Sequence, residues 1–210
     1  MTKKERAAEV TALLKENYPD ALCALQYEKD YELLFATRLS AQCTDARVNI
    51  VTKDLFVKFP TLEDYAAAPI EEIEAAIKTC GLYHTKARDL KAAAVMLLHD
   101  FGGKVPDNMG DLLKLPGIGR KTANLILGDI YGQPAIVTDT HCIRLSNRLG
   151  FVKDEKDPYK VETALRKLID PAESSDFCHR LVLHGREVCT ARKPKCKACC
   201  LAPCCPSAGL

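Results

Sequence analysis

The stretch Leu115-Pro116-Gly117-Ile118-Gly119-Arg120-Lys121-Thr122 constrains this 210-residue chain more than any other. Pro116 stops the helix before it, while Gly117 and Gly119 permit a tight turn and a close approach of the backbone to a ligand. From Arg120 onward Ala123, Leu125, Ile126, Leu127 and Ile130 read as a helix. The turn therefore aims unpaired N–H groups outward at a helix start, where a phosphate can be held. Asp139, in Thr138-Asp139-Thr140-His141, follows eighteen positions after Lys121.

The rest of the chain reads as a succession of helices. Thr2-Lys3-Lys4-Glu5 fits a capping box, and Val10, Leu13 and Leu14 give that first helix an apolar stripe up to Pro19. Further helices are expected over about 31–42, 44–59, 61–68, 69–79, 85–101, 108–115 and 120–131. Gly81 is placed to close the 69–79 helix and Asp107 to cap 108–115, which with 120–131 makes a helix-hairpin-helix. Three more follow: 141–149 closed by Gly150, one opened by Asp157-Pro158 through Ile169, and one from Ser174 or Ser175 through Val188. No stretch alternates strictly enough over strand length to make a sheet, so the fold class is all-α.

With 47% hydrophobic and 28% charged residues the chain suits an ordinary globular protein, as one domain or two closely packed lobes. A net charge of +2 is too weak to argue for nucleic acid by itself. Between Lys114 and Arg148, however, five basic residues face only Asp129 and Asp139. Met1-Thr2-Lys3-Lys4-Glu5-Arg6 lacks a signal-peptide core and no run is long enough to cross a membrane, so a cytoplasmic protein is expected. Eleven cysteines, odd in number and without a secretion signal, read as metal ligands more readily than as a disulfide framework. Cys189, Cys196, Cys199 and Cys205 are spaced C-x6-C-x2-C-x5-C. Four thiolates in so short a span suit a [4Fe–4S] cubane or a tetrahedral zinc. Spacing leaves Cys200 and Cys204 out of the set, and Cys23, Cys43, Cys80, Cys142 and Cys178 read as small buried residues.

The hairpin, the Lys121/Asp139 pair and the cysteine array agree in order and spacing, and together they resemble the endonuclease III family of DNA glycosylase/AP lyases. The resemblance covers nearly the whole chain. It implies a two-lobed helix-hairpin-helix glycosylase fold: a six-helix barrel from about residue 23 to 133, and a discontinuous lobe of 1–22 with 134–210 that ends in a [4Fe–4S] cluster loop. Cys189, Cys196, Cys199 and Cys205 would be the cluster ligands, and the cluster a structural staple. The implied partner is double-stranded DNA containing a damaged base or an abasic site, and the working form a monomer.

The resemblance also assigns roles. The lysine matching Lys121 attacks C1′ of a damaged nucleotide and forms a Schiff base that breaks the strand by β-elimination. To attack, Lys121 must lose a proton, and the positive end of its helix together with Arg120 disfavours a second positive charge there. Asp139 is a ready N-cap for the helix after it; by resemblance its carboxylate lies beside Lys121 and stabilises charge developing on the sugar. The N–H groups of Gly117, Ile118, Gly119 and Arg120 would grip phosphate without reading sequence. Base excision within a duplex requires the nucleotide to be flipped out. Gln42 would fill the gap and Leu82 would wedge into the opposite strand, although a helix-end contact and a core leucine are the plain alternatives. Lys193 and Lys195, with Arg192 and Lys197, suit phosphate contacts from the cysteine loop.

Oxidised pyrimidines such as thymine glycol are the expected substrates. A related adenine glycosylase generally lacks the lysine, uses an earlier glutamate and carries a further C-terminal domain. Here Lys121 is present, the 35–43 stretch has Thr37 and Arg38 without a carboxylate, and the chain stops soon after the cysteines. Relatives that excise pyrimidine dimers or mismatched thymine or uracil stay open. An iron–sulfur electron-transfer protein would leave Lys121 and Asp139 unexplained, and a zinc-held DNA-binding module would be non-catalytic.

Overall fold

The computed structural model describes residues 1–209. Among the described residues eleven α-helices run in order: α1 Lys3–Asn17, α2 Asp30–Leu39, α3 Asp45–Lys58, α4 Leu62–Ala67, α5 Ile70–Ile77, α6 Tyr83–Asp100, α7 Met109–Leu112, α8 Arg120–Asp129, α9 Thr140–Arg148, α10 Pro158–Leu165 and α11 Ser174–Glu187. Short 3-10 turns punctuate them, and no strand occurs among the described residues, so the fold is all-helical. The chain divides into two compact units, Cys23–Tyr131 and Met1–Leu22 with Gly132–Leu210.

In the 23–131 unit, α2 is buried almost all round, at Glu32, Leu33, Leu34, Phe35, Ala36, Thr37 and Leu39. A carboxylate can sit there because it is used: Glu32 Oε2 accepts from the N–H groups of Glu28 (2.8 Å) and Lys29 (3.1 Å), capping its own helix. Phe35 meets Tyr65 of α4 edge to face at 4.8 Å, a geometry that adds about 0.5–1.5 kcal/mol to area burial. Thr44 caps α3, and Thr61 makes a capping box with Asp64 on α4. The α7 cap is Asn108 and not Asp107: Asn108 Oδ1 accepts from Asp111 N–H at 2.9 Å.

In the other unit, Thr2 and Glu5 form the expected capping box, and α1 buries Ala7, Val10 and Leu14. Lys15 reaches Glu173 at 2.6 Å, and Glu173 in turn holds the buried Arg180 at 2.9 Å, linking α1 to α11. Helix α9 approaches α11 so closely at Gly185 that a Cβ there would lie 2.7 Å from His141 Nδ1. The stretch 135–138 is buried, yet belongs to no strand. Two of its N–H groups are met by side chains of α11, Ala135 by Ser174 Oγ (3.0 Å) and Val137 by Cys178 Sγ (3.2 Å).

Candidate active site and DNA interface

The hairpin is built by one glycine and left open by the other. Gly117 has φ +73°, and a Cβ on it would stand 2.5 Å from Arg38 Nε and 2.6 Å from Asp89 Oδ2. Those two side chains form a half-buried ion pair between α2 and α6, with Arg38 Nε donating to Asp89 Oδ2 at 2.7 Å. The turn therefore lies flat on a charged pair that only a hydrogen clears. Gly119 differs: its φ is −102°, which any residue adopts, and nothing lies within 4 Å of the Cβ position. Its smallness serves the outer face. Ile118 turns inward and is buried.

Gly119 is also the N-cap residue of α8, where no side chain caps the helix. The start of a helix carries N–H groups without intrahelical acceptors and a partial positive charge, so an anion is favoured there. Lys121 is exposed in this first turn, and Arg120 is half-buried beside it.

Asp139 belongs to the other unit, at the start of α9. Its Oδ1 accepts from Cys142 N–H at 2.7 Å, so it is the N-cap, and this bond leaves Oδ2 outside the cap. Burial lowers the pKa of His141 below the ordinary histidine value, and its Nδ1 lies 3.1 Å from Arg144 Nη2.

Gln42 and Leu82 are exposed, and both are non-glycine residues in the left-handed region, at φ +55° and +49°. Their loops are tied by a residue to which the sequence reading gave no role. Lys86 is fully buried, and its Nζ donates to the carbonyls of Leu39 (2.7 Å) and Cys80 (2.8 Å). Burial lowers its pKa below the usual lysine value. A lysine at the fourth position of an amphipathic helix looks solvated in sequence; only the fold shows that two carbonyl ends need it.

Cys189, Cys196, Cys199 and Cys205 all line one cavity of about 370 Å³, whereas Cys200 and Cys204 do not. Among the described residues no three His, Cys, Asp or Glu side chains converge to hold a single ion. Side-chain nitrogens face two of the sulfurs. Arg148 Nη1 lies 3.2 Å from Cys189 Sγ, and His184 Nε2 lies 3.4 Å from Cys199 Sγ while its Nδ1 meets the Tyr18 hydroxyl at 3.1 Å. Burial pushes His184 down to about 4, so near neutrality it is uncharged. The loop backbone is held from α9: Arg144 Nη2 donates to the carbonyls of Gly185 (3.0 Å) and Cys189 (2.9 Å), and Arg148 to those of Thr190 (2.8 Å) and Ala191 (2.9 Å). Sequence reading counted these arginines only as charge; their i, i+4 spacing, which puts both on one face of a helix, was the signal. Lys193 and Lys195 are exposed on the loop, with Arg192 and Lys197.

A helix-hairpin-helix entered through Gly117 and a four-thiol loop after the last helix define a class, and the comparisons agree. Residues 35–171 match the HhH-GPD superfamily base excision DNA repair protein family. The endonuclease III of Synechocystis sp. is 46% identical over 208 residues, covering 99% of this chain and 94% of that protein. That of Escherichia coli K12 is 39% identical over 203 residues, covering 96% and 95%. A solved structure described as a trapped endonuclease III–DNA covalent intermediate superimposes with a TM-score of 0.93 at 43% identity, over 99% of this chain and 98% of that one. The chain belongs to the endonuclease III family, base excision repair enzymes that are DNA glycosylases and AP lyases.

Proposed function

We propose that the protein removes oxidised pyrimidines of the thymine glycol type from duplex DNA and then cleaves the strand 3′ to the abasic site by β-elimination through a Schiff base on Lys121. The observation that carries this reading is an exposed lysine in the first turn of a helix whose start no side chain caps. Lys121 Nζ attacks C1′ as the base departs. Asp139 keeps α9 capped through Oδ1 and presents Oδ2 to stabilise positive charge on the sugar and to take part in proton transfer. The N–H groups around Gly119 hold a backbone phosphate, with Gly117 and Ile118 fixing the turn and Arg120 adding charge. Gln42 enters the gap left by the flipped nucleotide, where an amide can pair with any orphaned base. Leu82, 57% exposed, wedges into the opposite strand.

Cys189, Cys196, Cys199 and Cys205 hold a [4Fe–4S] cluster. Supporting this, all four thiols line one cavity, and Arg148 and His184 place nitrogens beside two of the sulfurs. When bound, the cluster cross-links the loop and fixes Lys193 and Lys195 for phosphate contact. The protein acts as a monomer.

Borohydride trapping of the iron-loaded protein on duplexes with an abasic site or thymine glycol tests the reading, comparing wild type with Lys121→Ala. A covalent adduct and strand cleavage that vanish in Lys121→Ala, with thymine glycol released, are expected. Binding without cross-linking by the wild type would refute the lyase chemistry, and excision of mismatched thymine in preference to thymine glycol would refute the substrate.

A further inference from the structure

The two side-chain nitrogens that face sulfurs of the 189–205 loop differ in what they need. Arg148 Nη1, 3.2 Å from Cys189 Sγ, belongs to a guanidinium and is always a donor. His184 Nε2, 3.4 Å from Cys199 Sγ, is a donor only when the ring carries a proton on that nitrogen. His184 is 1% exposed, so bulk water does not make the choice. Its other nitrogen, Nδ1, lies 3.1 Å from the hydroxyl of Tyr18, the residue that closes α1. The two rings meet edge to face with centroids 5.8 Å apart.

We propose that Tyr18 is a positioning residue for the cysteine loop: it fixes the His184 tautomer that donates from Nε2 to Cys199 Sγ, and so slows the loss of iron from the loop. This rests on the reading of Cys189, Cys196, Cys199 and Cys205 as ligands of a [4Fe–4S] cluster. The chain's own residues fit that group, since the four thiols line one cavity of about 370 Å³ and the two nitrogens stand at the sulfurs of two different ligands. A thiolate bound to iron has no proton to give, so across the 3.4 Å contact it can only accept. Nε2 must then hold the proton. That leaves Nδ1 of the uncharged ring with a lone pair, and the Tyr18 hydroxyl donates to it. With the opposite tautomer a nitrogen lone pair would face a sulfur that already carries negative charge. Partners in this outer position are typically worth about 10–100-fold in metal affinity.

The Tyr18–His184 contact joins residues 166 positions apart, so the first helix of the chain helps to hold its last loop. Lys15 also ties α1 to the start of α11, at 2.6 Å, but it ends on the Glu173 carboxylate and not at a ring beside a sulfur. Comparing the two ties separates the packing of α1 from the hydrogen bond to the ligand.

The test uses the iron-loaded protein. It measures iron and sulfide content, the rate of iron release to a chelator followed by visible absorbance, and the iron–thiolate stretching frequencies by resonance Raman. Tyr18→Phe keeps the ring and removes only the hydroxyl. It is expected to release iron about tenfold faster or more and to shift an iron–thiolate stretch, while Lys15→Gln matches the wild type in both. His184→Gln is expected to stay near the wild-type rate, because an amide nitrogen donates with no tautomer to choose. Adding Tyr18→Phe to His184→Gln should then change nothing further. A wild-type rate or an unshifted stretch in Tyr18→Phe overturns the proposal. So does Lys15→Gln releasing iron as fast as Tyr18→Phe, which reduces Tyr18 to packing, or a full effect of Tyr18→Phe in the His184→Gln background. A wild type that takes up no iron and sulfide overturns the cluster reading and the proposal together; a loaded wild type with an indifferent Tyr18→Phe overturns the proposal alone.

Discussion

Gly117 and Gly119 are two residues apart in one turn, yet the structure gives them different tasks, and substituting each by alanine separates fold from binding. In Gly117→Ala the new Cβ must hold a left-handed backbone at φ +73°, a cost of roughly 1–2 kcal/mol for a residue with a side chain. It would also lie 2.5–2.6 Å from Arg38 Nε and Asp89 Oδ2, so their 2.7 Å charge-assisted bond must open or shift, costing about 1–2 kcal/mol more for a pair this little exposed. The sum, about 2–4 kcal/mol, lowers the thermal midpoint by on the order of 10 °C for a chain of this size. Gly119→Ala meets nothing within 4 Å at an ordinary φ of −102°. Its melting temperature should fall by at most a few degrees, from the poorer N-cap. Its Cβ instead projects where a phosphate would approach, so affinity for an abasic-analogue duplex falls about tenfold or more. Calorimetry and anisotropy on both variants make the comparison. A Gly117→Ala protein melting within a degree or so of wild type, or a Gly119→Ala protein as unstable as Gly117→Ala, would refute the reasoning.

Other outcomes follow from single contacts. Asp139→Asn keeps an equally good N-cap, so thermal stability is unchanged while borohydride trapping falls by tenfold or more; Asp139→Ala in addition loses about 1 kcal/mol. Trapping by Asp139→Asn at the wild-type rate would reduce Asp139 to a cap. Lys86→Met leaves the carbonyls of Leu39 and Cys80 without their donor, at about 1–3 kcal/mol each, read as a lower urea midpoint. Cys196→Ser is expected to lose iron on reconstitution while Cys200→Ser keeps it, since Cys196 lines the cavity and Cys200 does not. Lys15 first and Arg180 second hold the Glu173 carboxyl below its ordinary pKa of 4.5. The stability it contributes is therefore complete above about 4.5 and is lost as pH falls through the lower folded value. Glu173→Gln should lower the urea midpoint near neutrality and flatten its acid slope; an unchanged slope would remove Glu173 from the account.

Signals that act within four residues were legible in the sequence. Thr2, Thr44 and Asp157 begin helices where expected because a cap is a local bond to an N–H two or three residues on. Asn108 displaced Asp107 by one position, the usual uncertainty of a helix end. The 85–101 helix starts earlier, at Tyr83, because Leu82 takes a left-handed conformation that no leucine advertises. Non-local requirements were not legible. Nothing near Lys86 announces that carbonyls 47 and 6 residues away need its ammonium, and nothing near Arg144 and Arg148 announces that their acceptors are the carbonyls of a loop some forty residues on. Gly117 was read correctly as a turn residue, but its ion-pair floor depends on α2 and α6 meeting beneath it.

Helix α9 is anchored at both ends by side chains with unrelated tasks: Asp139 at its N-cap, and Arg144 and Arg148 gripping the cysteine loop. Because each helical residue turns the chain by about 100°, deleting or inserting one residue between them would swing Asp139 through roughly that angle relative to the loop. The span from Asp139 to Arg144 should therefore accept changes at its exposed positions but none of length. In a library of random indels it would stand out as a gap, a metric imposed by the length of one short rod as well as by the residues that end it.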